Sequence, residues 1–320
     1  MTNETLAQYA NLSLYSAMAV FTIAMVCWAL YLAGMVPSRD TTAVREAELV
    51  GAGGAAPAAP LGPEAASADP VPLRARKAAG IGGTMTWLGG LLLLLAVVLR
   101  GLSVHRWPLG NMFEFAVMGS MFTVLAFCAW STRRDLRWLG LFVIAPVLLV
   151  LGMAVTVWYT EAAELLPSLR SYWLVIHVTV ATLAVAVFTI ACAVTCAYLL
   201  RDTLQRAGRA SLLDRFPAAP AMERLAYGLH IVAFPLWTFT VIAGAIWARQ
   251  AWGSYWNWDP KEVWTFVIWV VYAAYLHARA TSGVSRQVVS YVALAGYACI
   301  IINYAVVNVF FVSQHSYSGL

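Results

Sequence analysis

Residues 172–200 read YWLVIHVTVATLAVAVFTIACAVTCAYLL, a run without a single Asp, Glu, Lys or Arg. A helix of about 20 apolar residues crosses the hydrocarbon core of a bilayer, and this run is longer than that. Working outward, runs of the same kind fall at roughly 12–36, 82–102, 112–130, 138–158, 224–247, 263–280 and 288–312. They are continuous rather than alternating, which argues for helices and against the strands of a membrane barrel. The expected fold is therefore all-α, a polytopic transmembrane helical bundle of about eight spans. Composition agrees: of 320 residues, 62% are hydrophobic and 11% charged, whereas soluble domains carry about 25% charged residues. A soluble globular enzyme, a disordered chain, a collagen and a disulfide scaffold are all excluded.

The net charge of +5 in such a chain records topology rather than nucleic-acid binding. Arg39, Arg45, Arg74, Arg76 and Lys77 separate spans one and two. Arg133, Arg134 and Arg137 separate three and four, and Arg201, Arg206, Arg209 and Arg215 separate five and six. Arg279 and Arg286 flank the turn between seven and eight. The other side holds only Arg100, Arg106, Arg170, Arg249 and Lys261. Basic residues concentrate on the cytoplasmic side, so both termini and the loop around 252–261 are expected outside the cytoplasm.

Three segments follow. Residues 1–36 contain the first span, with no basic n-region or cleavage site, so it is expected to be retained. Residues 37–80, with the stretch GAGGAAPAAPLGPEAASADP, lack apolar periodicity and read as a flexible cytoplasmic linker. Residues 81–320 form the main membrane domain. A short surface helix is expected within 203–222. The five cysteines all lie in apolar runs and form no CxxC, so neither a disulfide framework nor a thiol-redox site is supported.

The chemistry concentrates in residues 247–264, WARQAWGSYWNWDPKEVW, which hold five of the 14 tryptophans. Asp259-Pro260-Lys261-Glu262 reads as a helix start: Asp as N-cap, Pro at the first position, Glu closing a capping box. The plain structural reading is an aromatic belt at the membrane surface. A belt, however, spreads its rings over many helix ends, and a cluster in one loop asks for a flat apolar ligand.

The segment WGSYWNWDPKEVW (252–264) resembles the tryptophan-rich WWD signature of haem-handling proteins. Its surroundings resemble the System II cytochrome c biogenesis family of the CcsA/CcsB/ResC type. Four further stretches carry the likeness: RWPLGNMFEF (106–115), LPSLRSYWLVIHV (166–178), AYLHAR (274–279) and QHSYSG (314–319). The last departs from the family's GLHSYG ending, with Ser313-Gln314 in place of Gly-Leu. The resemblance runs from about residue 100 to 318.

It implies a haem lyase acting at the plasma membrane, its active face extracytoplasmic, that attaches haem to the CxxCH of apocytochrome c. The two thiols add across the haem vinyl groups to give thioethers. Haem b is the transiently bound substrate, and activity is expected only together with a ResB-type membrane subunit. Apocytochrome c and thiol-reducing pathway components are the other expected partners. The chain itself has no CxxCH and no outer-side thiol, so it is neither acceptor nor reductant.

Among the five histidines, His177 falls one to two turns inside the outer start of span five and His315 follows span eight. Both face the tryptophan side, an arrangement that fits axial ligation of haem iron, and the resemblance gives both that role. His277, near the cytoplasmic end of span seven, is by resemblance a membrane haem ligand whose second axial histidine comes from the partner; its plain reading is an interfacial residue beside Arg279. A cis pair with His230 stays open. His105 is expected to be solvated. Trp252, Tyr255, Trp256, Trp258 and Trp264 are the candidate porphyrin platform. Asp259 and Glu262 are caps in any reading, and Lys261, Arg249 and Arg170 are candidate propionate partners. Glu114 and Asn111 are expected to shape the outer surface. Two other classes stay open, a b-type electron-transfer cytochrome and a haem exporter. The System I branch, which handles haem through a chaperone, is a closer rival.

Overall fold

The computed structural model of the chain describes residues 3–35, 71–165, 169–209 and 211–315. Eight helices are long and apolar enough to cross a membrane, and they coincide with the eight apolar runs. They are α1 Glu4–Ala33, α2 Leu73–Val104, α3 Met112–Ser131, α4 Gly140–Thr156, α5 Tyr172–Arg206, α6 Ala219–Trp252, α7 Pro260–Ala280 and α8 Arg286–Phe310. No strand occurs among the described residues. A single 3-10 turn, Arg137–Leu139, leads into α4. Helix α8 is interrupted by a π-helical turn at Ile302–Val307.

One boundary differs from the sequence expectation. The linker was expected to reach residue 80, yet α2 starts at Leu73. Ala, Arg and Lys are strong helix formers, and Ala75 and Ala79 are buried, so burial and propensity extend the helix beyond its apolar run. The remainder of the expected linker, 37–70, lies outside the described residues, as do 316–319 of the QHSYSG tail. A short helix does form within 203–222, as a 3-10 helix at Leu212–Arg215. It lies between the end of α5 at Arg206 and the start of α6 at Ala219.

Packing is dense where small residues meet rings. A methyl group on Gly89 would come within 2.3 Å of the Phe21 ring, and one on Gly140 within 2.4 Å of Trp28. Between membrane helices there is little hydrophobic drive, so close backbone approach at small residues supplies van der Waals contact. The Trp28 indole also donates to Thr86 Oγ1 at 3.1 Å, joining α1 to α2. Through Phe21 and Trp28, α1 shares one hydrophobic core with α3, α4 and α5. A second core gathers Phe188, Ala233, Trp237, Ile268 and Tyr272 from α5, α6 and α7. There the Phe188 and Tyr272 rings stack at 4.0 Å.

The two ends of the bundle are held differently. At the end away from the tryptophan loop, Arg279 pairs with Glu223 at 3.0 Å, and Arg201 donates to the carbonyls of Phe216 and Pro217. At the tryptophan end, Glu114 is fully buried. It accepts from Arg100 Nε at 2.9 Å, from Arg106 at 2.9 and 3.0 Å, and from the Gly110 amide at 2.7 Å. The same arginines donate to the carbonyls of Thr160 and Ala163, which clamps the loop after α2 to the loop after α4. Asn111 caps α3 by accepting from the Glu114 amide at 2.9 Å. Helix α7 is the least covered: Glu262, Ile268, Tyr272 and Tyr275 are its buried residues.

Candidate functional site

The C-terminal end of α6, the start of α5, the start of α7 and the end of α8 meet at one end of the bundle. Gly253 ends α6 in the left-handed conformation (φ 83°), which glycine adopts without a Cβ penalty. The chain then runs through the tryptophan loop to the cap of α7. The expected capping box is present: Asp259 accepts from the Lys261 amide at 2.9 Å, and Glu262 accepts from the Asp259 amide at 3.2 Å.

Glu262 does more than cap. The same carboxylate oxygen accepts from the Asn257 amide at 2.8 Å, so it grips the backbone on both sides of Trp258. Trp258 has φ 56°, a strained conformation for a bulky residue, and the residue is 77% exposed. Strain of this kind persists where surrounding bonds over-determine it, and it clusters at functional sites. Its ring meets Trp256 edge-on at 5.9 Å. From Trp256 the aromatic contacts continue to Phe266, and Phe266 stacks on Trp269 at an interplanar angle of 6°. Tyr255 is exposed, while Trp252 and Trp264 are half-buried.

Both expected outer histidines lie at this end. His177, in the second turn of α5, packs edge-on to Trp247 of α6 at 5.6 Å. Gly244, one turn earlier on α6, makes room for it, since a Cβ there would stand 2.8 Å from His177 Cε1. His315 packs edge-on to Trp252 at 4.6 Å, and its Nδ1 lies 3.0 Å from Asp259 Oδ1. The tail is further held by Asp259 Oδ2, which accepts from the Gln314 amide at 2.8 Å, and by Asn257 donating to Gln314. Burial alone would push the Asp259 carboxyl up. Hydrogen bonds from His315 and from the Lys261 and Gln314 amides outweigh that and hold it below the usual carboxylate range.

Beneath the loop, several buried polar atoms have no hydrogen-bond partner among the described residues. They are His177 Nδ1, Trp173 Nε1, Trp247 Nε1, Glu262 Oε1, and Oδ1 of Asn303 and Asn308. Buried polar groups are almost always satisfied, and six of the nine unpartnered side-chain atoms among the described residues fall at this end, where they could meet a ligand with polar edges. An imidazole nitrogen buried without a partner, indoles and a flat exposed ring suit a metalloporphyrin.

Other expectations are placed less directly. The Lys261 ammonium turns inward and donates to the Asn303 carbonyl at 2.9 Å, inside the π-helical turn of α8. Such turns often occur at functional sites. Arg249 donates to the Gly253 carbonyl, and Arg170 pairs with Glu164 at 3.0 Å; both thus tie down local loops. His277 is exposed on α7, on the same stripe as Phe266 and Val270. His230 is buried, with Nδ1 2.7 Å from the Ala226 carbonyl and its ring 4.5 Å from Tyr275. Tyr275 and His277 point to different sides of α7, because two residues turn a helix by about 200°. The cis pair His230–His277 is therefore not formed. His105 ends α2 in the left-handed conformation (φ 53°). Trp247, Gly244 and the tie between Asp259 and His315 were not singled out from sequence; the first lay within the quoted block, and the others depend on tertiary contact.

Residues 107–315 match the family described as Cytochrome C assembly protein. Similar chains include the cytochrome c biogenesis protein CcsA of Chlamydomonas reinhardtii, 32% identical over 248 residues, covering 75% of this chain and 69% of that one. The CcsA of Guillardia theta is 31% identical over 263 residues, covering 75% and 86%. Among solved structures, the cytochrome c haem lyase CcmF superposes with a TM-score of 0.61 at 16% identity, covering 95% of this chain. This chain spans 47% of that structure's length, and the likeness concerns the fold.

Proposed function

This chain belongs to the cytochrome c assembly protein family, and from that premise we propose that it is the haem-presenting membrane subunit of a System II cytochrome c synthase. The observation that supports this is that His177 and His315 both lie at the tryptophan-loop end of the bundle, each packed edge-on against an indole of α6. Haem b is the substrate. The two imidazoles would hold its iron, and the indoles of the loop, Trp252, Trp256 and Trp258, would supply apolar contacts to the porphyrin. Orientation of a bound reactant by fixed groups can lower a barrier by several kcal/mol, up to roughly 7–11 in the best cases. Both thiols of a CxxCH then add across the two vinyl groups, each sulfur bonding one vinyl carbon and each hydrogen the other.

The tryptophan end is the extracytoplasmic one in this proposal, because the basic residues crowd the other end, and the membrane is the plasma membrane. The arrangement of His277 supports a partner-supplied second ligand. It is exposed on the least covered helix, where a ResB-type subunit has room to dock, and His230 faces elsewhere. Apocytochrome c and a thiol-reducing pathway complete the system.

Co-expression tests the reading. With a ResB-type subunit and an apocytochrome c in a host lacking other maturation machinery, the chain should yield cytochrome c that stains for covalent haem on denaturing gels. Equal staining when this chain is left out would contradict it.

A further inference from the structure

Asp259 has more partners than helix capping needs. Capping uses the Lys261 amide on Oδ1. The rest of the carboxylate serves the C-terminal tail: Oδ2 takes the Gln314 amide at 2.8 Å, and Oδ1 stands 3.0 Å from Nδ1 of His315. The residue is 7% exposed, so little water competes for these contacts. His315 is also fixed on a second side by Trp252 at 4.6 Å. A ring held by a carboxylate at one nitrogen and by an indole on its flank has a defined direction, although it sits in a chain terminus rather than in a helix.

We propose that Asp259 is a positioning residue for haem, acting through His315. It takes the Nδ1 hydrogen, fixes the tautomer, and directs Nε2 to the iron. Metal-binding histidines commonly donate their other N–H to a carboxylate, which orients the ring and makes it a stronger base. Asp259 would therefore give the outer iron a more electron-rich ligand than a carbonyl-bonded or solvated histidine would. It would also couple the tail to the start of α7, so that the tryptophan loop and the second ligand are set by one side chain. This inference rests on the reading of His315 as a haem ligand.

The test uses the full chain purified from membranes in an H277A background, titrated with hemin. D259N keeps an N-cap residue and nearly the same shape but removes the charge. D259S keeps the cap and is too short to reach the tail. D259S is expected to lose about 10–100-fold in hemin affinity, the usual cost of removing such a supporting group. D259N is expected to bind hemin through both rings with its midpoint potential moved to more positive values, a change that a purely structural tether would not produce. H315A provides the reference by losing the six-coordinate low-spin spectrum. If H315A alters the spectrum while D259N and D259S keep wild-type affinity and potential, the role of Asp259 is overturned and the ligand assignment stands. If H315A leaves the spectrum unchanged, both are overturned.

Discussion

Exchanging His177 and His315 together for alanine is expected to abolish covalent haem attachment while the protein still accumulates in the membrane. Loss of a group that merely supports a metal ligand costs about 10–100-fold, so removing both ligands should leave less than about 1% of wild-type holo-cytochrome c. The fold should tolerate the change. Alanine is the better helix former at position 177, and the substitution deletes a buried nitrogen that lacks a partner among the described residues. His315 lies beyond the last turn of α8, so its loss removes the contacts to Trp252 and Asp259 but interrupts no helix. Haem staining of the acceptor and immunodetection of the membrane protein are read side by side. Normal staining in the double variant would refute the outer-ligand assignment.

A second large effect concerns stability rather than chemistry. Glu114 is the acceptor for both Arg100 and Arg106, with side-chain exposures of 0%, 7% and 12% respectively. E114A would leave two buried guanidinium groups without a counter-charge. Breaking a buried ion pair by removing one partner costs about 3–5 kcal/mol, and here one carboxylate serves two partners. The expected outcome is a lowered melting temperature of the detergent-purified protein and loosened loops after α2 and α4, detected as faster proteolysis within 105–111 and 157–165. E114Q, which keeps acceptor and shape, should fall between E114A and wild type. A melting temperature for E114A equal to wild type would show that the cluster does not hold this end together.

The helical architecture was legible in the sequence because a lipid-crossing helix needs a continuous apolar run, and such runs depend on no distant residue. Starts and stops were less legible. Residues 73–80 are helical because Ala75 and Ala79 bury against α1, and their polar neighbours mask that in any hydropathy reading. The capping box of Asp259 and Glu262 was legible because its spacing is local. The second use of Asp259 was not, since it reaches His315 across 56 residues. Likewise, Gly244 looks like one small residue among many until the His177 ring is placed against it. The π-helical turn at Ile302–Val307 has no local sequence cue either. It places the Asn303 carbonyl where Lys261 can reach it, and so redirects a side chain that charge alone assigned to the propionates.

The tryptophan loop illustrates how the two kinds of information combine. Its composition pointed to a flat ligand, but only the geometry distinguishes its members. Trp247 and Trp252 brace imidazoles, Trp258 is held outward under strain by Glu262, and Trp256 leads toward Phe266 and Trp269 on the uncovered side of α7.

The most direct measurement is electron paramagnetic resonance of hemin-loaded protein in which H277A removes the proposed inner ligand, comparing the otherwise wild-type chain with H177A and H315A. The predicted result is a low-spin ferric signal of a bis-imidazole haem that each single substitution converts to high spin. A low-spin signal persisting in both single variants would mean that the iron is held by other residues.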